Sequence, residues 1–508
     1  MTESPEEHSL TSEQAFELAL RLHQGGQYKE AESLYRGLID HNPQHIEALH
    51  LLGVLQYLLG KNDEGNRLMK QALKVKPDFA EAHFLLANGY QRLGKVNEAI
   101  ESYQKTVELQ PGHAQAHSNL GLTLLGSGDL KEAEAALRMA LNLAPDKHQT
   151  RVHLGTVLKQ AGRPKEAVTE FQQALAASPN FAGARNHLSH TLMDLGRLDE
   201  AEACLRQGIG LKPEDAEGHY NLALVLAHRG KQEEAITHYQ EAVKYDPDLK
   251  EAHSNLANLL LESGEKEEAA KHFNRTLELE PENRVAPYLL KIAKGDQPER
   301  APLDYVRALF DHYARDYDRH NNEDLKAESH NHLKKSLQEV AGPKRFTNAL
   351  DLGCGTGIAG VTFREQVDHL TGVDLSPAMI EQAYAHEVYD VLRESDILRY
   401  LERSQDAFDF IVAIDSLPYF GNLTSILNLI NERLMDGGLF CFNTELLTGK
   451  DWKVQASGRF AHSPDYLKIC AQKAGLNLLN LDQKRIRLQR EGEVLGNICI
   501  LEKNNSRH

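Results

Sequence analysis

The chain has 508 residues, which is too long for one ordinary domain and predicts two or three. Acidic residues outnumber basic ones by 74 to 57, and the resulting net charge of -17 argues against the basic stripe of a nucleic-acid-binding protein. The five cysteines are scattered without a Cys-x-x-Cys pair, so we expect a reducing compartment and neither a disulfide framework nor a zinc site.

The amino terminus is acidic, and no apolar segment follows a basic one there. This pattern does not fit a secretion signal. No apolar run approaches the roughly 20 residues that a membrane helix needs. We therefore expect a soluble, cytoplasmic protein.

From residue 12 to residue 283 the sequence repeats every 34 residues without an insertion. One position of the repeat is always glycine: Gly26, Gly60, Gly94, Gly128, Gly162, Gly196, Gly230 and Gly264. Another is always proline: Pro43, Pro77, Pro111, Pro145, Pro179, Pro213, Pro247 and Pro281. A third is always small: Ala31, Gly65, Ala99, Ala133, Ala167, Ala201, Ala235 and Ala269. The pattern predicts pairs of helices, because glycine ends a first helix, the small residue permits close packing, and proline ends the second helix.

These eight units resemble tetratricopeptide repeats, which share the period and the pattern. The resemblance implies an all-α solenoid whose first helices line a concave groove, with a protein or peptide as the partner. One groove position carries asparagines that could bind a peptide backbone, although asparagine is also common there for reasons of consensus: Asn119, Asn221 and Asn255. The groove histidines lack metal-ligand spacing, so no metal site is predicted.

The periodicity ends in two steps. Residues 285–294 read as a half repeat that caps the last apolar face, and residues 295–300 break the pattern with glycine and proline. We therefore place a repeat domain at 12–294 and a second domain at 301–503.

In the second domain short apolar strands alternate with helices, which predicts a mainly parallel sheet with Rossmann-like α/β architecture. The predicted strands are 346–351, 370–374, 409–414, 438–443, 477–482 and 495–502. The last two, joined through residues 482–494, are predicted to form an antiparallel pair that closes the sheet.

A tight glycine loop, Gly353-x-Gly355-x-Gly357, follows the first predicted strand. It is shorter than the G-x-G-x-x-G loop of dinucleotide enzymes. Acidic residues follow the strands around it: Asp351 directly before the loop and Asp374 at the end of the second strand. In open α/β sheets, nucleosides bind at the edge where these carboxyl ends meet.

Together with Asp396 and Asp415 farther on, this succession closely resembles the seven-stranded methyltransferases that use S-adenosylmethionine. The resemblance implies that the loop runs beneath the methionine part of the cofactor and that Asp374 accepts hydrogen bonds from the ribose hydroxyls. It also implies that Asp396 meets the adenine amino group, with Ile397 and Met379 packed near the ring. A nicotinamide dinucleotide site and a relic without cofactor are the alternatives, and Asp351 could instead cap the following helix.

Two further segments narrow the resemblance. Residues 305–320 and 458–467 look like stretches of predicted bacterial methyltransferases that also carry tetratricopeptide repeats. The first implies a helical lid in which Tyr313 faces the cofactor, with ordinary packing as its alternative. The second places His462 and Tyr466 in a substrate-facing loop, where His462 could be a base or an ordinary surface histidine.

A base is required only if the methyl acceptor must lose a proton near the moment of attack. The candidates, in order, are Asp415, His462, Tyr419 and Tyr313. The segment 415–419 superficially resembles the Asp-Pro-Pro-Tyr box of enzymes that methylate planar nitrogens, but it has one residue too many and a leucine in the wrong place. This disfavours a nucleobase or glutamine acceptor. Two function classes remain: a methyltransferase whose repeats recruit a protein, and an interaction scaffold with an inactive methyltransferase domain.

Overall fold

The structure is a computed structural model that describes residues 10–314, 317–319, 321, 325–489 and 492–504. By internal contacts the chain forms two compact units, Met1–Pro213 and Glu214–His508. The second unit therefore contains the last two helix pairs of the repeat array together with the α/β region. The domain limits 12–294 and 301–503 remain a prediction.

Six antiparallel helix pairs make up the first unit. Their helices are α1 (Ser12–Gln24), α2 (Tyr28–His41), α3 (Ile46–Leu58), α4 (Asn62–Val75), α5 (Ala80–Arg92), α6 (Val96–Leu109), α7 (Ala114–Ser127), α8 (Leu130–Leu143), α9 (His148–Gln160), α10 (Pro164–Ala177), α11 (Ala182–Asp194) and α12 (Leu198–Leu211). The array begins with a capping box, in which the side chains of Thr11 and Gln14 bond each other's backbone N–H.

The repeat positions act as the sequence predicts. Each repeat glycine has a positive φ, as at Gly128 with φ 87°, and so ends its helix without the strain a side chain would bring. The small residues are buried where helices cross: Ala31 is fully buried beside Tyr35 and Leu52 in the first core cluster. Close approach is also seen at Gly155, where an added Cβ would lie 2.5 Å from the Phe171 ring.

The second unit begins with two more pairs and a short capping helix: α13 (Ala216–His228), α14 (Gln232–Tyr245), α15 (Lys250–Glu262), α16 (Lys266–Leu279) and α17 (Ala286–Ala293). Further helices surround the sheet: α18 (Leu303–Tyr313), the single turn α19 (Tyr317–Arg319), α20 (Ser329–Ala341), α21 (Ile358–Phe363), α22 (Pro377–Ala385), α23 (Ile397–Arg403), α24 (Thr424–Arg433) and α25 (Pro464–Lys473). Two 3₁₀ turns, Arg364–Gln366 and Leu417–Tyr419, complete the helical part.

The sheet has nine strands: β1 (Phe346–Leu352), β2 (Val367–Asp374), β3 (Val391–Glu394), β4 (Phe408–Ala413), β5 (Leu434–Leu446), β6 (Trp452–Val454), β7 (Phe460–His462), β8 (Leu476–Gln489) and β9 (Gly492–Lys503). Their order is β3-β2-β1-β4-β5-β7-β6, and β9 pairs with both β5 and β8. The pairs from β3 to β5 and the β5–β7 pair are parallel, whereas β6–β7, β5–β9 and β8–β9 are antiparallel.

The predicted mainly parallel sheet with a closing antiparallel pair is confirmed, with two corrections. Strands β3, β6 and β7 had no prediction, because segments of three or four residues carry too little hydrophobic periodicity. The link 482–494 belongs mostly to β8 and β9 rather than to a loop, since these two strands continue to Gln489 and from Gly492.

An apolar core lies between the sheet and its flanking helices. Phe346 of β1 stacks on Phe410 of β4 with ring centroids 4.5 Å apart, and Phe363 of α21 packs edge-on against Phe410. All three side chains are almost completely buried. This packing fixes β1 against β4, so the loops at their carboxyl ends emerge side by side.

No helix among the described residues is both long enough and apolar enough to cross a membrane.

Candidate functional site

A pocket lies at the carboxyl ends of β1, β2 and β4. Its wall includes six residues from the predicted site: Gly353, Gly355, Asp374, Asp396, Ile397 and Asp415. The parallel pairing of β1 with β2 and β4 brings together residues that are up to 62 positions apart in sequence, as Gly353 and Asp415 are. Tyr419, a further candidate, also lines the pocket, and the remaining predicted residues lie elsewhere.

The glycine loop is held in left-handed conformations, with φ 73° at Gly353 and 53° at Gly355. The Gly353 N–H donates to the Val373 carbonyl of β2 at 2.8 Å, which ties the loop to the neighbouring strand. A Cβ at Gly353 would lie 2.5 Å from the Ser416 Cβ, whereas a Cβ at Gly355 would meet nothing within 4 Å. Gly355 therefore borders open space in the pocket. Gly357 lies outside the wall and packs against Tyr389 instead.

Asp374 ends β2 and connects the second strand to the loop. Its carboxylate accepts hydrogen bonds from the Gly355 N–H at 2.9 Å and the Ser376 N–H at 2.8 Å. Burial raises the pKa of Asp374, and the two backbone donors oppose that rise. Its carboxylate thus fixes the glycine loop and lies in the pocket wall.

Asp351 is fully buried behind the loop rather than at the pocket. It accepts a hydrogen bond from the Tyr389 hydroxyl at 2.6 Å, and that hydroxyl in turn accepts from the Gly360 N–H at 3.1 Å. Its other oxygen has no hydrogen-bond partner. Burial raises the pKa of Asp351 to about 7. Its contacts support the loop from behind and do not include a cap on α21.

Asp396 and Ile397 both line the pocket at the start of α23. Asp396 caps the helix by accepting from the Arg399 N–H at 3.1 Å, and its carboxylate also forms an ion pair with Arg300. Met379 is buried within α22 and does not reach the pocket wall. Leu375, next to Asp374, also lines the pocket, and the sequence did not predict this role.

Asp415 follows β4 in a left-handed conformation, with φ 54°. A non-glycine residue there costs about 1–3 kcal/mol and needs support from its surroundings. The fully buried Asn443 of β5 supplies it: its side-chain oxygen accepts from the Asp415 N–H at 2.8 Å, and its amide nitrogen donates to Asp415 Oδ1 at 2.9 Å. The Asp415 side chain is therefore fixed in the pocket wall.

Buried charges lie beside Asp415. Arg459 Nη2 is 3.7 Å from Asp415 Oδ1, and Arg459 also donates to Glu445 and to the Tyr419 hydroxyl at 3.2 Å. Arg487 donates to the same Glu445 oxygen at 2.6 Å. Burial alone would raise the pKa of Glu445, but the two guanidinium groups hold it below its usual value. The two arginines thus keep Glu445 ionised and fix its position beside Asp415.

The helix predicted as a lid, α18, borders the pocket, but a side chain other than Tyr313 faces it. Phe310 of α18 and Tyr317 of α19 line the wall, whereas Tyr313 is 45 % exposed and has its ring against His312. The Ser376 hydroxyl donates to Asp311 at 2.5 Å, which anchors α18 at the end of β2. The prediction for Tyr313 is therefore corrected, because the helix turns it outward. Part of the segment 305–320 lies outside the described residues.

His462 is not in a substrate-facing loop. It is fully buried in β7, where its Nε2 is 3.1 Å from the Gly421 carbonyl and its ring stacks on Tyr466. Burial lowers the pKa of His462 to about 4. The structure corrects both readings of this residue, since it is neither at the pocket nor at the surface. Tyr419 does line the pocket.

Several residues of the site escaped the sequence reasoning. Arg300 lies in the predicted linker 295–300, and Asn443 lies in the predicted strand 438–443. Arg459 lies in the segment 458–467, in which the sequence predicts a role for His462 but none for the arginine.

Comparison with known proteins agrees with this architecture. A family described as a methyltransferase domain matches residues 317–481. Families described as tetratricopeptide repeat match residues 22–89, 84–148, 158–225 and 250–283, and one described as TPR repeat matches 225–264. The matches cover both the array and the α/β region.

Curated relatives that are methyltransferases match parts of the chain. The chain is 27 % identical over 97 residues to an 18S rRNA (guanine-N(7))-methyltransferase of Bos taurus, covering 19 % of this chain and 33 % of that one. It is 28 % identical over 122 residues to a ubiquinone biosynthesis O-methyltransferase of Pasteurella multocida, covering 22 % and 50 %. It is 25 % identical over 139 residues to a malonyl-[acyl-carrier protein] O-methyltransferase of Salmonella typhimurium, covering 27 % and 53 %. The chain thus spans a third to about half the length of these relatives.

Among solved structures, the chain is similar to the TPR protein YrrB, with 26 % identity over 36 % of this chain and 95 % of that one and a TM-score of 0.32. It is also similar to MamA, with 22 % identity over 32 % and 94 % and a TM-score of 0.31. The repeats, the sheet and these family matches show that the chain carries tetratricopeptide repeats followed by a methyltransferase domain.

Proposed function

We propose that this protein is an S-adenosylmethionine-dependent methyltransferase whose repeat array recruits a protein that is, or carries, the methyl acceptor. One observation carries the proposal: the glycine loop, Asp374, Asp396 and Asp415 share one pocket at the carboxyl edge of the sheet. That edge is where α/β folds bind nucleosides.

The pocket residues fit a nucleoside. The space beyond Gly355 is free of protein atoms within 4 Å of where a side chain would begin, so a ligand can approach the backbone closely. Asp374 offers a carboxylate to ribose hydroxyls, and Asp396 offers one to an exocyclic amino group. Ile397 and Leu375 supply apolar surface for a base.

S-adenosylmethionine, when bound, supplies a methyl group on a positively charged sulfur. The protein's part is to position the acceptor and exclude water. Phe310 and Tyr317 of the lid and Tyr419 form an aromatic cover for this purpose. Asp415 is held through Oδ1 by Asn443, and its Oδ2 has no hydrogen-bond partner among the described side chains. That oxygen is the candidate to take a proton from an acceptor O–H or N–H.

The role of the array rests on its repeat pattern, which in this family of folds builds an extended binding surface. Nothing in the groove supports the asparagine reading specifically: the Asn119 amide donates to Asn88 at 3.1 Å and to the Tyr103 hydroxyl at 3.3 Å. We therefore assign recruitment to the array as a whole and not to a backbone-binding asparagine ladder.

The names of the curated relatives point to different acceptors: an 18S rRNA guanine, a ubiquinone biosynthesis step and a malonyl-carrier protein. The net charge of -17 disfavours a nucleic acid. A protein-borne acceptor agrees best with the repeats.

Two measurements test the proposal. Calorimetry with S-adenosylhomocysteine should show binding to the wild type and a loss of at least about 100-fold in Asp374→Ala, since a buried carboxylate that bonds two hydroxyls is removed. Absence of wild-type binding would favour the inactive scaffold.

The second measurement is incubation of a cell lysate with the protein and methyl-labelled S-adenosylmethionine. Label in macromolecules supports a protein-borne acceptor. Label confined to small molecules would contradict recruitment of the acceptor by the array. Asp374→Ala, which should not bind the methyl donor, serves as the negative control. A variant lacking residues 1–213 is not used for this purpose.

A further inference from the structure

Arg300 forms an ion pair with Asp396, the residue whose carboxylate is proposed to accept a hydrogen bond from the adenine amino group. Both terminal nitrogens of its guanidinium contact Asp396, Nη1 at 3.5 Å and Nη2 more closely. Its guanidinium lies 4.4 Å from the centre of the Phe420 ring, within range for a cation–π interaction. The Asp396 side chain is only 11 % exposed, so this pair is largely removed from water.

The backbone around Arg300 fixes it in this position. The Glu299 carbonyl accepts from the Gly421 N–H at 2.8 Å and from the Asn422 N–H at 3.0 Å, and the Ala301 N–H donates to the Tyr419 carbonyl at 2.9 Å. The segment therefore runs as a short strap beside residues 419–422. Its attachment leaves the side chain of Arg300, rather than its backbone, as the part free to move.

The ion pair lies where two cavities meet. The pocket at the glycine loop has a volume of about 70 Å³, and a neighbouring groove has about 940 Å³. Asp396, Leu303 and Leu375 line both. Sites for small molecules usually measure about 300–1,000 Å³, so the pocket as it stands is too small for a nucleoside. Part of its wall has to move before a base can enter.

We propose that Arg300 sets the affinity and base selectivity of the cofactor site by holding Asp396 until a nucleobase with an exocyclic amino group replaces the guanidinium. This inference rests on the proposed function, because it assumes that the pocket takes an adenosyl group. The exocyclic amino group of adenine can donate to Asp396 in place of the guanidinium. The carbonyl of hypoxanthine at the same position cannot donate to Asp396. It can only accept a hydrogen bond, which Arg300 would donate if it stayed in place.

Replacing Arg300 has two opposite consequences. In the free protein, Asp396 becomes a poorly solvated carboxylate that keeps only the Arg399 N–H as a partner, which lowers stability. In the complex, no ion pair has to be broken, so an adenosyl ligand binds more tightly. A residue that merely packed against the ligand would instead weaken binding when removed.

Calorimetry with S-adenosylhomocysteine on the full chain tests this. Arg300→Ala should bind roughly fivefold or more tighter than wild type, with Arg300→Lys between them, since lysine keeps the charge but not the two-point contact. Arg345→Ala is the matched control: it pairs with Asp368 at the surface, and neither residue lines the pocket or the groove. Its affinity should stay within about twofold of wild type.

Equal or weaker binding by both Arg300 variants would overturn the proposal while leaving the proposed function intact. Failure of every variant and of wild type to bind would instead refute the proposed function, and this inference with it. Base selectivity gives a second readout. The preference for S-adenosylhomocysteine over S-inosylhomocysteine should increase in Arg300→Ala, and an unchanged or smaller preference contradicts the role.

Arg300→Lys remains informative if Arg300→Ala does not fold, because lysine keeps the charge beside Asp396 but not the two-point contact. It should bind S-adenosylhomocysteine more tightly than the wild type. Equal or weaker binding by Arg300→Lys would then count against the competition.

Discussion

The repeat array and the pocket differ in how far apart in sequence their contacting residues are. In the array, contacting residues are close in sequence, as Gly155 and Phe171 are in one helix pair. In the pocket, contacting residues are distant: Arg300 and Asp396 are 96 positions apart, and Asp415 and Asn443 are 28 apart. A repeating pattern therefore reveals the first kind of contact, whereas only the folded sheet reveals the second.

The sharpest way to probe the pocket is to compare its two inner glycines. Gly353→Ala should lower the free energy of unfolding by about 2–4 kcal/mol, because a left-handed alanine is strained and its Cβ would clash with Ser416. Gly355→Ala should cost only about 1–2 kcal/mol, the strain alone. Denaturant unfolding of both variants measures the difference.

The same pair separates fold from binding. Gly355→Ala places a methyl group in the open space of the pocket and should weaken S-adenosylhomocysteine binding by roughly tenfold or more while the protein remains folded. If Gly355→Ala binds like wild type, the ligand does not run close to this backbone. If Gly353→Ala is as stable as wild type, the contact with Ser416 is not tight.

The array offers a corresponding pair. Gly155→Ala should destabilise by about 1–3 kcal/mol, since its Cβ would lie 2.5 Å from the Phe171 ring. Gly126→Ala lies near the end of α7 with nothing within 4 Å and should stabilise by about 0.5–1 kcal/mol through helix propensity. Thermal unfolding tests both. Equal effects would show that the close crossing of helices at Gly155 is not required.

Asp351, buried behind the glycine loop, should make the stability of the sheet depend on pH. Its folded pKa of about 7 lies above the ordinary value near 4, so between these values the folded state holds more protons than the unfolded state. Stability from this group is thus present in full below about pH 4 and falls as the pH rises to about 7, by up to about 1.4 kcal/mol per pH unit.

Asp351→Asn removes that titration while an amide oxygen can still accept from Tyr389. Urea unfolding at pH 5 and pH 8 should therefore show a smaller loss of stability for the variant than for wild type. Parallel losses in the two proteins would show that Asp351 titrates normally.

The smallest effect is expected for the asparagines of the groove. Asn119→Ala loses three side-chain hydrogen bonds within the array, to Gln115, Asn88 and Tyr103, and should cost about 0.5–1.5 kcal/mol. Asn255→Ala, whose bond to Tyr220 is long at 3.5 Å, should cost less. Chemical unfolding of the two variants compares them. If Asn119→Ala leaves the free energy of unfolding unchanged, these amides are available to a binding partner.

Prediction from sequence succeeded where the cause is local. Helix ends, small crossing positions and the glycine loop all follow from backbone freedom and side-chain size. It failed where burial decides: His462 is a polar residue in a short strand, and no periodicity shows that the sheet covers it. The outward turn of Tyr313 has the same origin, since Phe310 of the same helix faces the pocket and Tyr313 is left 45 % exposed.

The sequence by itself determined the helix pairs, the mainly parallel sheet and the carboxylates at the ends of β2 and β4. These features depend on residues within one or two neighbouring helices or strands. Each therefore produces a regular spacing of residue types that can be read from the sequence. Only the tertiary structure decided that Asn443 supports Asp415 and that Arg300 pairs with Asp396. Such partners leave no spacing in the sequence, because the sheet order and the path of the strap bring them together across long stretches of chain.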